Sequence, residues 1–183
     1  MKTRISVGMG EIKVTDAPDV VLVALGLGSC VGVVLYEPWR RTAAMLHIVL
    51  PRSQGRADDK GFRFADLAIP GAIDLLSALG ANPRYLRAAI AGGASMFSFG
   101  AGSHINIGES NVEAVRNLLA AARVPILIDD TGGDTSRTLV FDAETAEVSV
   151  KRAGGEEVLL GTLAGFAHSF TAASRQPAEA KAA

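Results

Sequence analysis

Cys30 and His47 are the two residues whose types and spacing could do chemistry together. Cys30 is the only cysteine of the 183-residue chain, and His47 is one of three histidines. A thiol becomes a nucleophile when a nearby base takes its proton, and imidazole suits that task near neutral pH. Free cysteines are, however, among the most buried residues, and a strand histidine often makes only a structural hydrogen bond. The residue types therefore leave a catalytic pair and a buried thiol as alternatives.

Two apolar runs around these residues predict a β-hairpin. The runs cover residues 30–36 and 43–50, and a turn-forming stretch separates them. If Tyr36 lies opposite Ala43, then Gly32 lies opposite His47. Cys30 and His47 then share one face as diagonal neighbours, about 7–8 Å apart at Cα. Gly32, which has no side chain, is expected to leave open space beside the imidazole.

The "GLGS" segment before Cys30 predicts a site for a developing negative charge. It makes Cys30 the first residue of a strand, where backbone N–H groups are not committed to a ladder. Gly28 and Ser29 are the candidate supports, and the amides of Ser29 and Cys30 are the candidate donors. One such oxyanion donor is often worth ~10²–10³ in rate.

The remaining elements predict a layered α+β fold with strands early and late and helices between. Residues 1–170 are expected to form one domain, and residues 171–183 a disordered tail. Ser110 is the expected N-cap of the second helix, with Glu113 completing a capping box. The predicted strands cover 5–14, 19–27, 30–36, 43–50, 87–94, 124–130 and a hairpin over 138–151; the predicted helices cover 62–80, 108–124 and 156–170.

The composition argues against several classes of partner. The net charge is -1 and aromatic residues make up 5 % of the chain, which disfavours nucleic acid and anionic membranes. A lone cysteine forms no internal disulfide, and no stretch is long enough to span a membrane. The histidines lack metal-ligand spacing. We therefore expect a cytoplasmic protein without membrane insertion, metal or cofactor.

Ordered motifs around and after these residues identify a family resemblance. The chain resembles the chemotaxis chemoreceptor glutamine deamidases, known as CheD, over roughly residues 4–152. The motifs that carry the resemblance are "LGLGSCVGVVLYEP" (25–38), "LHIVLP" (46–51), "RFADLAI" (63–69), "GGASM" (92–96), "IGESN" (107–111) and "DTGGDTSRTLVF" (130–141).

The resemblance implies a cysteine-dependent hydrolase and its partners. Such enzymes convert glutamines of chemoreceptor signalling helices to glutamates, and some hydrolyse glutamyl methyl esters. Cys30 would be the nucleophile that forms a thioester, and His47 the base. The implied fold is a layered α/β sandwich of mixed sheets with helices packed outside, similar to toxin-type cysteine deamidases. The implied regulatory partner is a chemotaxis phosphatase of the CheC type.

Ala24 departs from the family pattern. The family usually has a threonine six residues before the cysteine, and its hydroxyl orients the histidine, whereas Ala24 has no hydrogen-bonding side chain. A backbone carbonyl or a water could take over that role. The alternative function is a catalytically weak or inactive chemotaxis module that binds a phosphatase or a receptor. A hydrolase of small amides or esters is a third hypothesis.

Overall fold

The computed structural model describes residues 1–55, 61–95 and 106–165. Its helices are α1 (Ala65–Ala78) and α2 (Ile107–Ala121), with a short 3₁₀ turn at Pro83–Tyr85. Its strands are β1 (Thr3–Ser6), β2 (Ile12–Thr15), β3 (Val20–Leu27), β4 (Val31–Glu37), β5 (Thr42–Ile48), β6 (Arg87–Gly92), β7 (Ile126–Thr131), β8 (Arg137–Asp142), β9 (Glu147–Arg152) and β10 (Glu157–Thr162).

The strands form two mixed five-stranded sheets. The outer sheet has the order β1-β3-β8-β9-β10, and the central sheet has the order β2-β5-β4-β6-β7. Both helices pack on one face of the central sheet, and the outer sheet packs on its other face. The result is three layers, helix on sheet on sheet, with an apolar core in each interface. The expected layered α+β fold, with mixed sheets and helices outside, is confirmed.

The hairpin of β4 and β5 has the register that the sequence predicts. Tyr36 pairs with Ala43, and Gly32 pairs with His47. All seven residues of β4 are buried, because β5 and β6 flank the strand while the other layers cover both its faces. Full burial explains why this run is apolar without alternation.

The two helices follow the predicted pattern, with one difference at a cap. Gly80 ends α1 with a φ of 87°, and the backbone N–H of Ala81 donates to Leu76, as in a glycine C-terminal cap. At α2 the predicted cap at Ser110 is wrong. Asn106 caps the helix by accepting a hydrogen bond from the N–H of Glu109, and Ser110 already lies in the first turn.

The two ends of the chain differ from the sequence-based expectation. The predicted first strand is two strands, because the chain turns at Gly10 and passes from the outer sheet to the central one. The predicted last helix is wrong within the described residues, since Glu157–Thr162 forms β10 and pairs with β9. A short apolar run of this kind fits a helix or a strand, and here it forms a strand because it pairs with the edge of β9.

Some expectations fall outside the described residues. The end of the predicted last helix, at 166–170, and the predicted disordered tail, at 171–183, lie beyond Gly165. Within the described residues, no helix combines the length and the hydropathy needed to cross a membrane.

Candidate active site

Cys30 lies immediately before β4, at the end of the loop that leaves β3. It is half-buried and packs against the core between the two sheets. Met45 and Ala43, which alternate with His47 along β5, contact the same core. The thiol and the imidazole therefore belong to the same face of the central sheet, as the hairpin register predicts.

The crossing segment, residues 7–11, surrounds His47. The N–H of Gly10 donates to the carbonyl of His47 at 2.9 Å, and the N–H of His47 donates to Glu11 at 3.2 Å. The Nδ1 atom of the imidazole lies 3.2 Å from the carbonyl oxygen of Val7. This segment therefore fixes both the backbone and the ring of His47.

The hydrogen bond to Val7 determines the tautomer of His47. A carbonyl oxygen can only accept, so Nδ1 carries the proton and Nε2 has a free lone pair. Nε2 is buried and has no hydrogen-bond partner among the described residues, Cys30 Sγ included. Burial lowers the pKa of His47, and the bond to Val7 opposes that shift. The imidazole is thus held neutral, with Nε2 as the basic atom.

The thiol of Cys30 is also held in its neutral form. Burial raises its pKa above the ordinary value, and the positive charge of Arg63 acts in the opposite direction. A raised thiol pKa beside a lowered imidazole pKa disfavours a preformed thiolate–imidazolium pair. Proton transfer from sulfur to Nε2 would then accompany attack on a substrate rather than precede it.

Backbone carbonyls of the Cys30 loop, residues 28–30, are held by neighbouring elements. The N–H of Ala94 donates to Gly28 at 2.7 Å, and the N–H of Gly93 donates to Cys30 at 2.8 Å. The N–H of Gly28 donates to Gly26 at 2.9 Å and so is not a free donor. The N–H groups of Ser29 and Cys30 donate to no other described residue. Gly28 can therefore only support the loop, while Ser29 and Cys30 offer two available donors.

The glycines of β6 and a buried arginine support this loop from behind. A Cβ atom at Gly92 would lie 2.3 Å from the carbonyl oxygen of Cys30, so only glycine fits there. Gly92 in turn accepts a hydrogen bond of 2.9 Å from Gly132. The buried side chain of Arg137 donates to the carbonyls of Asp130 and Gly132. The motif at 130–141 is thus a structural support of the loop.

Comparison with known proteins identifies the family. The family model described as CheD chemotactic sensory transduction matches residues 49–152. The chain is 44 % identical over 150 residues to the "Probable chemoreceptor glutamine deamidase CheD" of Caldanaerobacter subterraneus, covering 81 % of this chain and 92 % of that relative. It is 41 % identical over 153 residues to the chemoreceptor glutamine deamidase CheD of Thermotoga maritima, covering 84 % and 94 %. The chain belongs to the CheD family.

A solved structure shows a more distant likeness. The crystal structure of Bacillus licheniformis hypothetical protein YfiH aligns with a TM-score of 0.42 and 18 % identity, covering 63 % of this chain and 49 % of that one. The CheD family model begins at residue 49. Cys30 and His47 therefore precede the residues that this family model matches.

Ala24 stands where the family resemblance leads one to expect a threonine. It is fully buried in β3, in the core between the sheets. The N–H of Val7 donates to Val23 at 2.8 Å, so Val7 runs beside this part of β3. In this chain the carbonyl of Val7 holds the Nδ1 atom of His47. A backbone group thus does here what the resemblance assigns to a threonine hydroxyl.

The open space expected beside Gly32 is not present. A Cβ atom at Gly32 would lie 2.8 Å from Cδ1 of Leu27 and 3.0 Å from Cδ2 of Leu139. Two leucines of the outer sheet therefore fill the space that the missing side chain leaves. Gly32 allows the two sheets to approach closely and does not open a cavity beside the imidazole.

Three residues near the site were missed by the sequence analysis. Val7 acts through its backbone, which has no signature in the sequence. Arg63 is half-buried and affects the pKa of Cys30 through space, which only the fold reveals. Asn111 is fully buried on α2 and donates to the carbonyl of Ser29. The signal for Asn111 was present, since it lies one helical turn before Val115 on an otherwise apolar stripe.

The described residues contain no metal-binding cluster, and two cavities lie away from the thiol. No group of three or more His, Cys, Asp or Glu side chains in the described ranges could hold a metal ion. Cavities of about 490 and 530 Å³ lie alongside α2. Neither is lined by Cys30 or His47.

Proposed function

We propose that this protein is a cysteine-dependent deamidase that converts glutamine side chains of chemoreceptor signalling helices to glutamates. One observation carries the proposal: a half-exposed thiol shares a sheet face with a neutral imidazole whose basic nitrogen has no hydrogen-bond partner among the described residues. The relatives named as chemoreceptor glutamine deamidases supply the substrate class. The proposal places the protein in the cytoplasm, where receptor signalling helices lie.

In the acylation step, Cys30 forms a bond to the side-chain carbonyl carbon of glutamine. Sγ attacks while its proton moves to Nε2 of His47, and the carbonyl oxygen becomes an oxyanion. The N–H groups of Ser29 and Cys30 donate to that oxyanion. When the carbon–nitrogen bond breaks, His47 gives its proton to the nitrogen, and ammonia leaves. The sulfur and Nε2 must approach more closely in the substrate complex, as catalytic hydrogen bonds often do.

In the deacylation step, water hydrolyses the glutamyl thioester. Nε2 takes a proton from the water as its oxygen attacks the thioester carbon. The carbon–sulfur bond then breaks, and the proton returns to Sγ to regenerate the thiol. The net reaction adds one water and releases one ammonia for each glutamine. A glutamyl methyl ester would follow the same route with methanol as the leaving group.

The test is incubation with receptor cytoplasmic fragments, followed by mass spectrometry and ammonia detection. We expect a mass increase of about 1 Da at particular glutamines, because an amide –NH₂ is replaced by –OH. Cys30→Ala and His47→Ala should each lower the rate by at least about 10²-fold, since each removes a proton-transfer or covalent step. Circular dichroism confirms that each variant is folded. Full activity of folded Cys30→Ala would exclude the mechanism.

A second candidate function is a binding module with little or no catalysis, and Ala24 is the observation that favours it. We propose a CheC-type phosphatase as the partner in either case. Under the binding-only alternative, pull-down of the phosphatase and of receptor fragments survives Cys30→Ala, while the wild-type protein releases no ammonia. Ammonia release from free glutamine in preference to receptor fragments would instead favour the small-amide hydrolase.

A further inference from the structure

Asn111 lies between the two backbone segments that carry the candidate catalytic residues. Its Nδ2 atom is 2.9 Å from the carbonyl oxygen of Ser29 and 2.9 Å from that of Val49. Ser29 directly precedes Cys30, and Val49 lies two residues after His47. One side-chain amide on α2 therefore ties the Cys30 loop to the end of β5.

The chemistry of the two acceptors fixes the orientation of this amide. Carbonyl oxygens accept and do not donate, so the NH₂ group of Asn111 must face both of them. Each of its two hydrogens serves one carbonyl. Serine and threonine have one hydrogen to donate, and an ionised aspartate has none. The pair of hydrogen bonds to the carbonyls of Ser29 and Val49 thus requires an amide at this position.

The surroundings of Asn111 argue for a role beyond packing. The residue is fully buried, yet its Oδ1 atom has no hydrogen-bond partner among the described residues. Packing alone does not require an amide here, since an apolar side chain of similar size would bury no polar oxygen. Such local departures from a satisfied core tend to occur where geometry serves a function.

The other bonds of the Cys30 loop show what Asn111 adds. The carbonyls of Gly28 and Cys30 are bonded to the backbone of Ala94 and Gly93, at the end of β6. These bonds relate the loop to β6 but not to β5, which carries His47. The bonds of Asn111 relate the loop directly to β5.

We propose that Asn111 is a positioning residue, which sets the approach of the Cys30 thiol to His47 by holding Ser29 and Val49 together. The inference rests on the proposed deamidase function. A displacement of about 1 Å at a reacting group can lower a rate by ~10². Loss of these two hydrogen bonds should therefore reduce turnover, while substrate binding at the protein surface is left unchanged.

The first test is the kinetics of Asn111→Asp and Asn111→Ser on receptor fragments. We expect kcat to fall by about 10–100-fold with KM within about twofold, because geometry and not binding is altered. Asn117→Asp and Asn117→Ser are matched controls on the exposed face of α2. Their kcat should stay within about twofold of the wild type. An unchanged kcat in the Asn111 variants, or a change in KM alone, overturns the proposal.

The second test follows alkylation of Cys30 by iodoacetamide and needs no receptor. In the wild-type background, His47→Ala should slow alkylation, since the thiol loses its base. In the Asn111 variants the same substitution should have a smaller effect, because both changes act on one contact. The positioning role is wrong if the effects of the His47 and Asn111 substitutions on the alkylation rate multiply. It is also wrong if His47→Ala leaves the alkylation rate unchanged in the wild-type background.

The two tests separate the positioning role from the proposed function. A wild-type protein that releases no ammonia contradicts the deamidase function and leaves the alkylation test valid. If both Asn111 variants fail to fold where the wild type folds, the positioning role is also wrong, because the amide is then a requirement of folding.

Discussion

Gly92→Ala is expected to displace the Cys30 loop. The added Cβ atom would lie 2.3 Å from the carbonyl oxygen of Cys30 and 3.1 Å from Cβ of Leu27. An ordinary contact begins near 3.4 Å, so the carbonyl must move by about 1 Å. Gly92 also has a φ of 108°, which side chains rarely adopt.

The geometry gives the magnitude of the effect. The strained backbone at Gly92 costs roughly 1–3 kcal/mol once a Cβ atom is present. Displacing the Cys30 carbonyl weakens its 2.8 Å bond to Gly93, which is worth about 1 kcal/mol. The free energy of unfolding should therefore fall by about 2–4 kcal/mol. Because the displaced group belongs to the nucleophile, kcat should fall by ~10² in the folded fraction.

Urea denaturation and receptor-fragment deamidation measure the two effects. Gly154→Ala is the matched control, since Gly154 has a φ of 75° but no heavy atom of the described residues within 4 Å of the added Cβ. It should lose only about 1–2 kcal/mol of stability, with kcat unchanged. A clash at Gly92 is contradicted if Gly92→Ala lowers the free energy of unfolding by less than about 1 kcal/mol and kcat by less than about threefold. It is also contradicted if Gly154→Ala is equally inactive.

Four further predictions concern the thiol and the imidazole. Because burial lowers the pKa of His47 in the free protein, the acid limb of kcat/KM against pH should lie below 6.5, and a limb above it contradicts a neutral base. As the pH falls, His47 binds a proton in the unfolded state before it does so in the folded state. The free energy of unfolding should therefore fall below pH 6.5, by at most about 1.4 kcal/mol per pH unit. His47→Gln should flatten that dependence in urea titrations. Ala24→Thr should change kcat by less than about threefold, because the Nδ1 proton already has an acceptor in Val7; a tenfold gain contradicts this. Arg63→Gln removes a positive charge that lowers the pKa of Cys30, so the midpoint of alkylation against pH should rise, and an unchanged midpoint excludes that interaction.

The Val7 carbonyl shows how an apparent loss at one position can be met by another group. A missing hydroxyl at Ala24 removes one way to hold an imidazole proton, but any fixed carbonyl within reach can accept that proton. The bond between Val7 and Val23 fixes this carbonyl. An absent motif residue therefore gives weak grounds for assigning inactivity before the backbone around the site is known.

Local sequence patterns predicted the elements that are local in origin. The register of Gly32 with His47 follows from a short turn and two apolar runs, and Gly80 ends α1 as expected. The prediction failed at Glu157–Thr162, where a six-residue apolar run fits a helix or a strand. It also failed at Ser110, because two polar residues four positions apart can both serve as caps and Asn106 is the one that does.

The placement of a cysteine and a histidine on one face of a hairpin could be predicted from the sequence, because alternation and register are properties of neighbouring residues. Three features required the folded chain: which nitrogen of His47 is basic, which group replaces the side chain missing at Ala24, and the link that Asn111 makes between the two segments. These contacts join parts of the chain that are distant in sequence, and all three acceptors are backbone carbonyls. A backbone carbonyl is present at every position, so its role depends on the fold and not on the residue type.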